Sequence, residues 1–248
     1  MKKLAFVSLF TIISILAFNS NILAQWFLDF ENGLATSGYN DVQIPRDTGT
    51  LFSLTDDLNT DSTYFFRIRF GYRWKSKHNL SVFAAPLTLK AAGKVDKELV
   101  FFEETFLPNT PLNAQYTFNS FRLTYRFDFV RKRKWQVGIG FTAKIRDAVI
   151  KVEGGGKSSK KTNVGFVPLL HFRVLWQFHK DWGLLCEGDA AVAAQGRAED
   201  VLLALQYSLN EKVHLRAGYR IIEGGADVEE VYNFSLIHFL SAGVTISF

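Results

Sequence analysis

A single cysteine, Cys186, stands in a chain of 248 residues. No disulfide can form within the chain, so the covalent staple of many small exported domains is excluded. Long apolar runs are missing as well. Past Phe18 no uncharged stretch reaches the roughly 20 residues that a membrane-crossing helix needs. There is no zinc-finger spacing, no basic helix and no RNA-binding motif, so no nucleic-acid partner is expected. EF-hand spacing is absent too, and no cofactor or metal is expected. Gly154 to Ser159 contains Gly-Lys-Ser, but Lys151 occupies the place of the first glycine that a phosphate loop requires; these glycines fit a hairpin tip.

What is present begins with an export signal. Met1, Lys2 and Lys3 form a basic head, Leu4 to Phe18 is apolar, and Asn19 to Ala24 is a more polar stretch ending in a small residue. Cleavage after Ala24 is expected, dividing the chain into a signal peptide at 1–24 and one domain at 25–248. The formal charge of +5 loses Lys2 and Lys3 with the signal. No cysteine follows the cut to carry a lipid anchor.

Beyond it the pattern has period two. Tyr64, Phe66, Ile68, Phe70, Tyr72 and Trp74 alternate with Phe65, Arg67, Arg69, Gly71 and Arg73. Phe121, Leu123, Tyr125, Phe127 and Phe129 alternate with Arg122, Thr124, Arg126 and Asp128, and the segment from Trp135 to Lys144 repeats the rhythm. Such alternation also suits a soluble sandwich, so further features decide. Trp26, Trp74, Phe129, Trp135, Trp176, Phe178, Trp182 and Phe248 flank short turns or a terminus, as an interfacial girdle does. Short charged connections (75–79, 131–134, 179–181, 210–212) alternate with longer ones. The last strand ends with Val244, Ile246 and Phe248 on one face.

In these respects the mature chain resembles the outer-membrane β-barrel proteins of Gram-negative bacteria. The resemblance implies a closed antiparallel up-and-down transmembrane barrel, all-β, located in the outer membrane. It also implies contact with outer-membrane lipid and lipopolysaccharide, and insertion by the barrel assembly machinery through the strand ending at Phe248. About ten strands are expected, near 25–35, 63–74, 80–91, 113–130, 135–152, 164–178, 182–193, 201–209, 213–222 and 234–248. Eight is the alternative if the third, interrupted by Pro86, fails. The outer connections then fall at 36–62, 92–112, 153–163, 194–200 and 223–233.

Strand parity turns Asp29, Glu31, Arg67, Arg69, Arg122, Arg126, Lys144, His171, Arg173, Glu187, Asp189, Arg216 and Arg220 inward. Buried charges are tolerated when paired, so an ion-pair network that plugs or narrows the lumen is the leading expectation. A narrow anion path lined by surplus arginine is the second. Acidic groups on the outer connections, including Asp56, Asp57, Asp61, Glu103 and Glu104, could hold divalent cations, but a solvated face paired with Arg46 and Arg197 explains them more simply. A possible rim site comprises Asp47, Arg197, Glu199, Asp200, Glu223, Asp227 and Glu230. A lipid- or peptide-processing enzyme at that rim is the alternative function. No catalytic residue is assigned, although His171 faces inward with Ser120 as a conceivable partner.

Overall fold

The computed structural model describes residues 24–248. The expected export signal therefore lies outside the described residues, apart from Ala24, where the first strand starts. Among the described residues there is no helix. The strands are β1 (Ala24–Gln43), β2 (Phe52–Ser53), β3 (Thr63–Trp74), β4 (His78–Ala85), β5 (Thr88–Lys94), β6 (Leu99–Phe101), β7 (Glu104–Phe106), β8 (Pro111–Arg131), β9 (Trp135–Gly154), β10 (Lys157–Trp176), β11 (Trp182–Ala193), β12 (Gly196–Ser208), β13 (Val213–Val228) and β14 (Val231–Ser247).

Each long strand pairs antiparallel with its sequence neighbour, and β14 returns to β1. Trp26 and Phe248 exchange backbone hydrogen bonds of 3.0 and 2.9 Å at the end of that seam. The strand around Pro86 is kept but broken: β4 and β5 both pair with β8, above and below the interruption. Counted as one, they give ten strands in a closed ring, in which every strand has a neighbour on both sides.

The alternating pattern sorts onto the two faces of this ring. Lipid-facing parity carries Tyr64 (86% exposed), Phe141 (69%) and Leu240 (67%), whereas Arg67, Arg122, Lys144 and Arg220 are at most 6% exposed. Aromatic rings crowd the end with the short turns. Trp26 stacks on Phe70 at 5.0 Å, Trp135 on Trp176 at 5.8 Å, and Trp182 meets Tyr207 at 4.7 Å.

Three of the five expected outer loops are not loops. β9–β10, β11–β12 and β13–β14 are joined by two residues each, where 153–163, 194–200 and 223–233 were expected to be irregular. Gly155 (φ 56°) and Gly156 (φ 79°) supply the left-handed backbone that a two-residue hairpin needs. The ladders continue into water because backbone pairing does not require an apolar face; only the hydrophobic contrast fades. Strands of 20 residues such as β9 and β10 far exceed the roughly 9–11 that cross a bilayer. The barrel therefore stands well proud of the membrane on this side.

The two remaining outer segments, residues 44–62 and 95–110, fold onto the barrel. Ile44, Phe52, Leu54, Leu58, Leu99, Phe101 and Phe106 are at most 2% exposed and pack with Leu89, Tyr116, Val152 and Phe239 in one apolar cluster. Backbone bonds tie the segments together, Phe102 to Ile44 at 2.7 Å and Thr50 to Val100 at 2.9 Å. This cover sits over the β1–β9 side of the mouth. It was not foreseen as a core, since its apolar residues follow no strand period.

Candidate functional site

From mid-height down to the short-turn end, the inward faces of the strands carry six carboxylates (Asp29, Glu31, Asp128, Glu187, Asp189, Asp200) and nine cations (Arg67, Arg69, Arg73, Arg122, Arg126, Lys144, Arg173, Arg216, Arg220). Alternation on paired strands brings them to one face; closure brings distant strands within reach of one another.

Asp200 on β12 is the hub. Its carboxylate accepts from Arg67 of β3 and from Arg122 of β8, each at 2.5 Å, and from Arg220 of the adjacent β13. Around a ring of ten, β3 and β8 each lie four strands from β12 in opposite directions. Asp200, expected on the rim, is 3% exposed in the interior. The reason is that β12 begins at Gly196, so the segment read as a loop is already strand and its parity turns Asp200 inward.

The neighbouring groups extend the same pattern. Glu31 receives Nε and Nη2 of Arg220 at 2.8 Å each and Arg216 at 3.1 Å. Asp29 takes Arg216 at 2.9 Å and the Thr245 hydroxyl at 2.5 Å. Asp189 accepts from Arg122 (2.6 Å) and Thr142 (2.7 Å) and lies 2.9 Å from His171 Nδ1. Glu187 pairs with Arg173 at 3.0 Å and with Arg69. Arg69 and Glu187 sit on β3 and β11, five strands apart and so diametrically opposed. Arg126 donates to Asp128 at 2.7 Å. Among the described residues Arg73 reaches only the amide oxygens of Asn79 and Gln25, and Lys144 is the other cation of this set without an ion pair. It is 4% exposed, has no carboxylate within salt-bridge distance among the described residues, and lies 4.7 Å from the Phe118 ring centroid.

His171, also 2% exposed, is held by Asp189, while Ser120 accepts from Arg122 Nε at 2.9 Å. The two conceivable partners are thus engaged elsewhere, beneath the rim.

The remaining rim residues form separate pairs. Arg197 binds Glu223 through Nε and Nη2 at 2.8 and 2.7 Å, and Tyr39 donates its hydroxyl to the same carboxylate. Arg46 binds Asp227 at 2.6 Å and Lys161 reaches Glu230 at 3.0 Å. Asp47 is exposed beside Thr48, and Glu199 stands in register with Glu223. At this level, above the apolar belt, burial tends to raise the Glu223 carboxyl, but the bonds from Arg197 and Tyr39 outweigh it and hold the group below the ordinary range. Burial and then the Glu223 carboxylate push the Tyr39 phenol up to about 12. Among the described residues no three His, Cys, Asp or Glu side chains are grouped to hold a metal ion.

Two cavities flank the ionic layer. A void of about 60 Å³ on the short-turn side is lined by Asp29, Arg69, Arg73, Asn79 and Gln206, room for a water or two. On the outer side a cup of about 740 Å³ is lined by Tyr116, Lys144, Arg146, Ile150, Lys161, Ile222 and Ile237.

A closed ladder, an apolar wall with an aromatic girdle and a charged interior together define a membrane-spanning barrel of the outer-membrane class. One solved structure agrees on the fold, and others are similar more loosely. The outer membrane protease OmpT from Escherichia coli superimposes with a TM-score of 0.51 at 8% identity, covering 90% of this chain and 97% of that one. Neisserial surface protein A matches with a TM-score of 0.38 at 18% identity, over 90% and 97% of the two chains. The attachment invasion locus protein of Yersinia pestis matches with 0.40 at 10%, over 90% and 98%. No family model matches the chain, and no curated protein matches it in sequence.

Proposed function

We propose that this protein is an integral outer-membrane barrel whose lumen is closed at mid-height by ion pairs, a rigid scaffold presenting a blind cup and a folded cover to the exterior. The carrying observation is the set of bonds that Asp200 makes to Arg67 and Arg122 from opposite sides of the ring. Arginine side chains that meet a shared carboxylate across the interior leave no room for a wide water column, and ten strands make a barrel only modestly wider than the side-chain-filled eight-stranded ones. Outer-membrane lipid and lipopolysaccharide are the partners that the apolar wall and projecting rim suit. The last strand, ending at Phe248, is the segment that the assembly machinery is proposed to recognise.

Planar-bilayer recording tests the closure. The processed protein is expected to show no steady conductance, and Asp200→Ala to show small, anion-selective openings because nine cations then outnumber five acids. Large open-channel currents from the unaltered protein would refute a closed lumen. A small anion-selective current without any substitution would instead favour the narrow path lined by arginine.

A further inference from the structure

The ring of strands is complete, but the β10–β11 seam is short. β9 pairs with β10 along its whole length, from Lys157 to Trp176. β11 pairs with β10 only from Leu170 to Trp176, while β11 continues with β12 up to Ala193. Above Leu170 and Ala190 the facing edges of β10 and β11 therefore run unpaired. Pro168 stands at the foot of this gap with no N–H to donate, and the opposite edge is Ala190, Ala191, Val192 and Ala193, too small to fill it. The β11–β12 tip is tied instead to β13, Asp227 donating to the Gln195 carbonyl at 3.0 Å.

This slot begins inside the apolar belt. Phe166 pairs with Ile145, which pairs with Phe121, and all three are lipid-facing and at least 43% exposed. The outer cup is lined by residues of both parities, Lys144, Ile150 and Ile237 of the inward set and Phe166, Pro168 and Val192 of the lipid-facing set. The cup thus extends to the unpaired edges of the wall.

The cup carries four cations and four glutamates; Arg197 and Lys161 are paired with Glu223 and Glu230, and the two cations beside the slot, Lys144 and Arg146, make no ion pair among the described residues. Lys144 pairs in register with Val167, and Arg146 with Gly165, on the slot's own edge strand. Lys144 has no carboxylate, and Arg146 Nε is buried with no acceptor among the described residues. Apolar walls with a few convergent polar groups are the usual make-up of a small-molecule site.

We propose that the β10–β11 slot is a side entrance through which an anionic, single-chain amphiphile of the outer leaflet is bound. Its acidic head sits on Lys144 and Arg146 inside the cup, and its chain lies in the slot against Phe166, Pro168 and Val192. The inference rests on the membrane placement above, not on the lumen being closed.

The test uses the processed full chain in phosphatidylcholine nanodiscs containing palmitate with a diazirine on its carboxyl-proximal carbons, followed by mapping of the photo-adducts. Adducts are expected on Ile150, Ile222 and Ile237, with palmitate favoured about tenfold over the matching hexadecanol probe, the discrimination expected of one poorly solvated charge pair. Ala191→Trp, which fills the slot, is expected to reduce cup labelling to background while the protein keeps its folded, heat-shifted mobility. Arg146→Glu is expected to erase the preference for palmitate, and it serves as the test should Ala191→Trp fail to fold. Cup labelling undiminished in folded Ala191→Trp, equal labelling by acid and alcohol, or adducts confined to lipid-facing residues would each overturn the proposal. Conductance reads the lumen separately, so failure of the slot and failure of the closure are distinguishable.

Discussion

Asp200 receives three guanidinium groups in the interior, where it is 3% exposed. Removing it leaves Arg67 buried without a carboxylate and takes one of two carboxylate partners from Arg122 and from Arg220, a change worth about 3–5 kcal/mol when one member of a buried pair is lost. Asp200→Ala is expected to unfold at correspondingly lower urea in detergent micelles, whereas exposed Asp47→Ala is not. Equal midpoints for the two variants would remove Asp200 from its central role. Gly243 makes a different contribution: a Cβ there would come within 2.7 Å of Arg216 Cζ. Gly243→Val is expected to displace the guanidinium from Asp29 and Glu31, lowering stability by about 1–3 kcal/mol as overpacking does; an unshifted unfolding midpoint would show that Arg216 has room to move. Parity makes the inward charges legible one by one in the sequence. Their partners were not legible, because a pair such as Arg69 and Glu187 depends on the accumulated register of five intervening ladders.

Among the elements, the rim of β1, β12 and β13 responds to pH through Tyr39, Arg197 and Glu223. The Glu223 carboxyl is held below its ordinary range, so its contribution is full above that range and is lost as pH falls through the lowered value. The Tyr39 phenol is raised to about 12, so its contribution is present below the ordinary value and is lost as pH rises through about 12. Hydrogen exchange at Ala198 and Gly224 is expected to be slow at neutral pH and to quicken on acidification below the ordinary glutamate range. Glu223→Gln should be fast already at neutrality, and a flat profile in the unaltered protein would contradict the linkage. The cover over the mouth is a second element with its own core. Phe101→Ala, at a position 0% exposed, is expected to cost about 3–5 kcal/mol locally and to expose 44–62 and 95–110 to protease while the barrel survives. Resistance equal to that of the unaltered chain would show that the cover does not depend on this ring. The existence and order of the barrel strands could be read from period two, but their outer ends could not. At the three hairpin tips 153–163, 194–200 and 223–233 most residues on both faces are polar or small, so strand and loop look alike in composition. The cover escaped notice for the converse reason: its apolar residues sit in short, aperiodic segments whose burial depends on the barrel wall beneath them. Pro168 and the alanines from Ala190 to Ala194 were visible in the sequence, but the gap they border appears only once β11 is seen to follow β12.

For the molecule as a whole, the apolar wall predicts where charge is intolerable. Phe141 is 69% exposed on the lipid-facing side, and Phe141→Arg is expected to destabilise the inserted barrel by roughly 2–4 kcal/mol if it lies near the midplane. Urea titration in phospholipid vesicles measures it, and a neutral outcome would place that face in water. Closure, strand number and the facing of the wall follow from hydrophobic alternation and from the need to satisfy every backbone group in hydrocarbon. Interior pairing follows from the closed geometry. A ring of ten strands with an empty centre can flatten into an ellipse under the lateral pressure of the surrounding lipids, since no hydrogen bond in the ladder opposes bending between neighbours. The Arg69–Glu187 link crosses the full diameter and the bonds to Asp200 span two wide chords, so flattening in those directions must stretch or crush ionic contacts. They act as cross-braces, and the cross-section keeps its shape in membranes of differing tension.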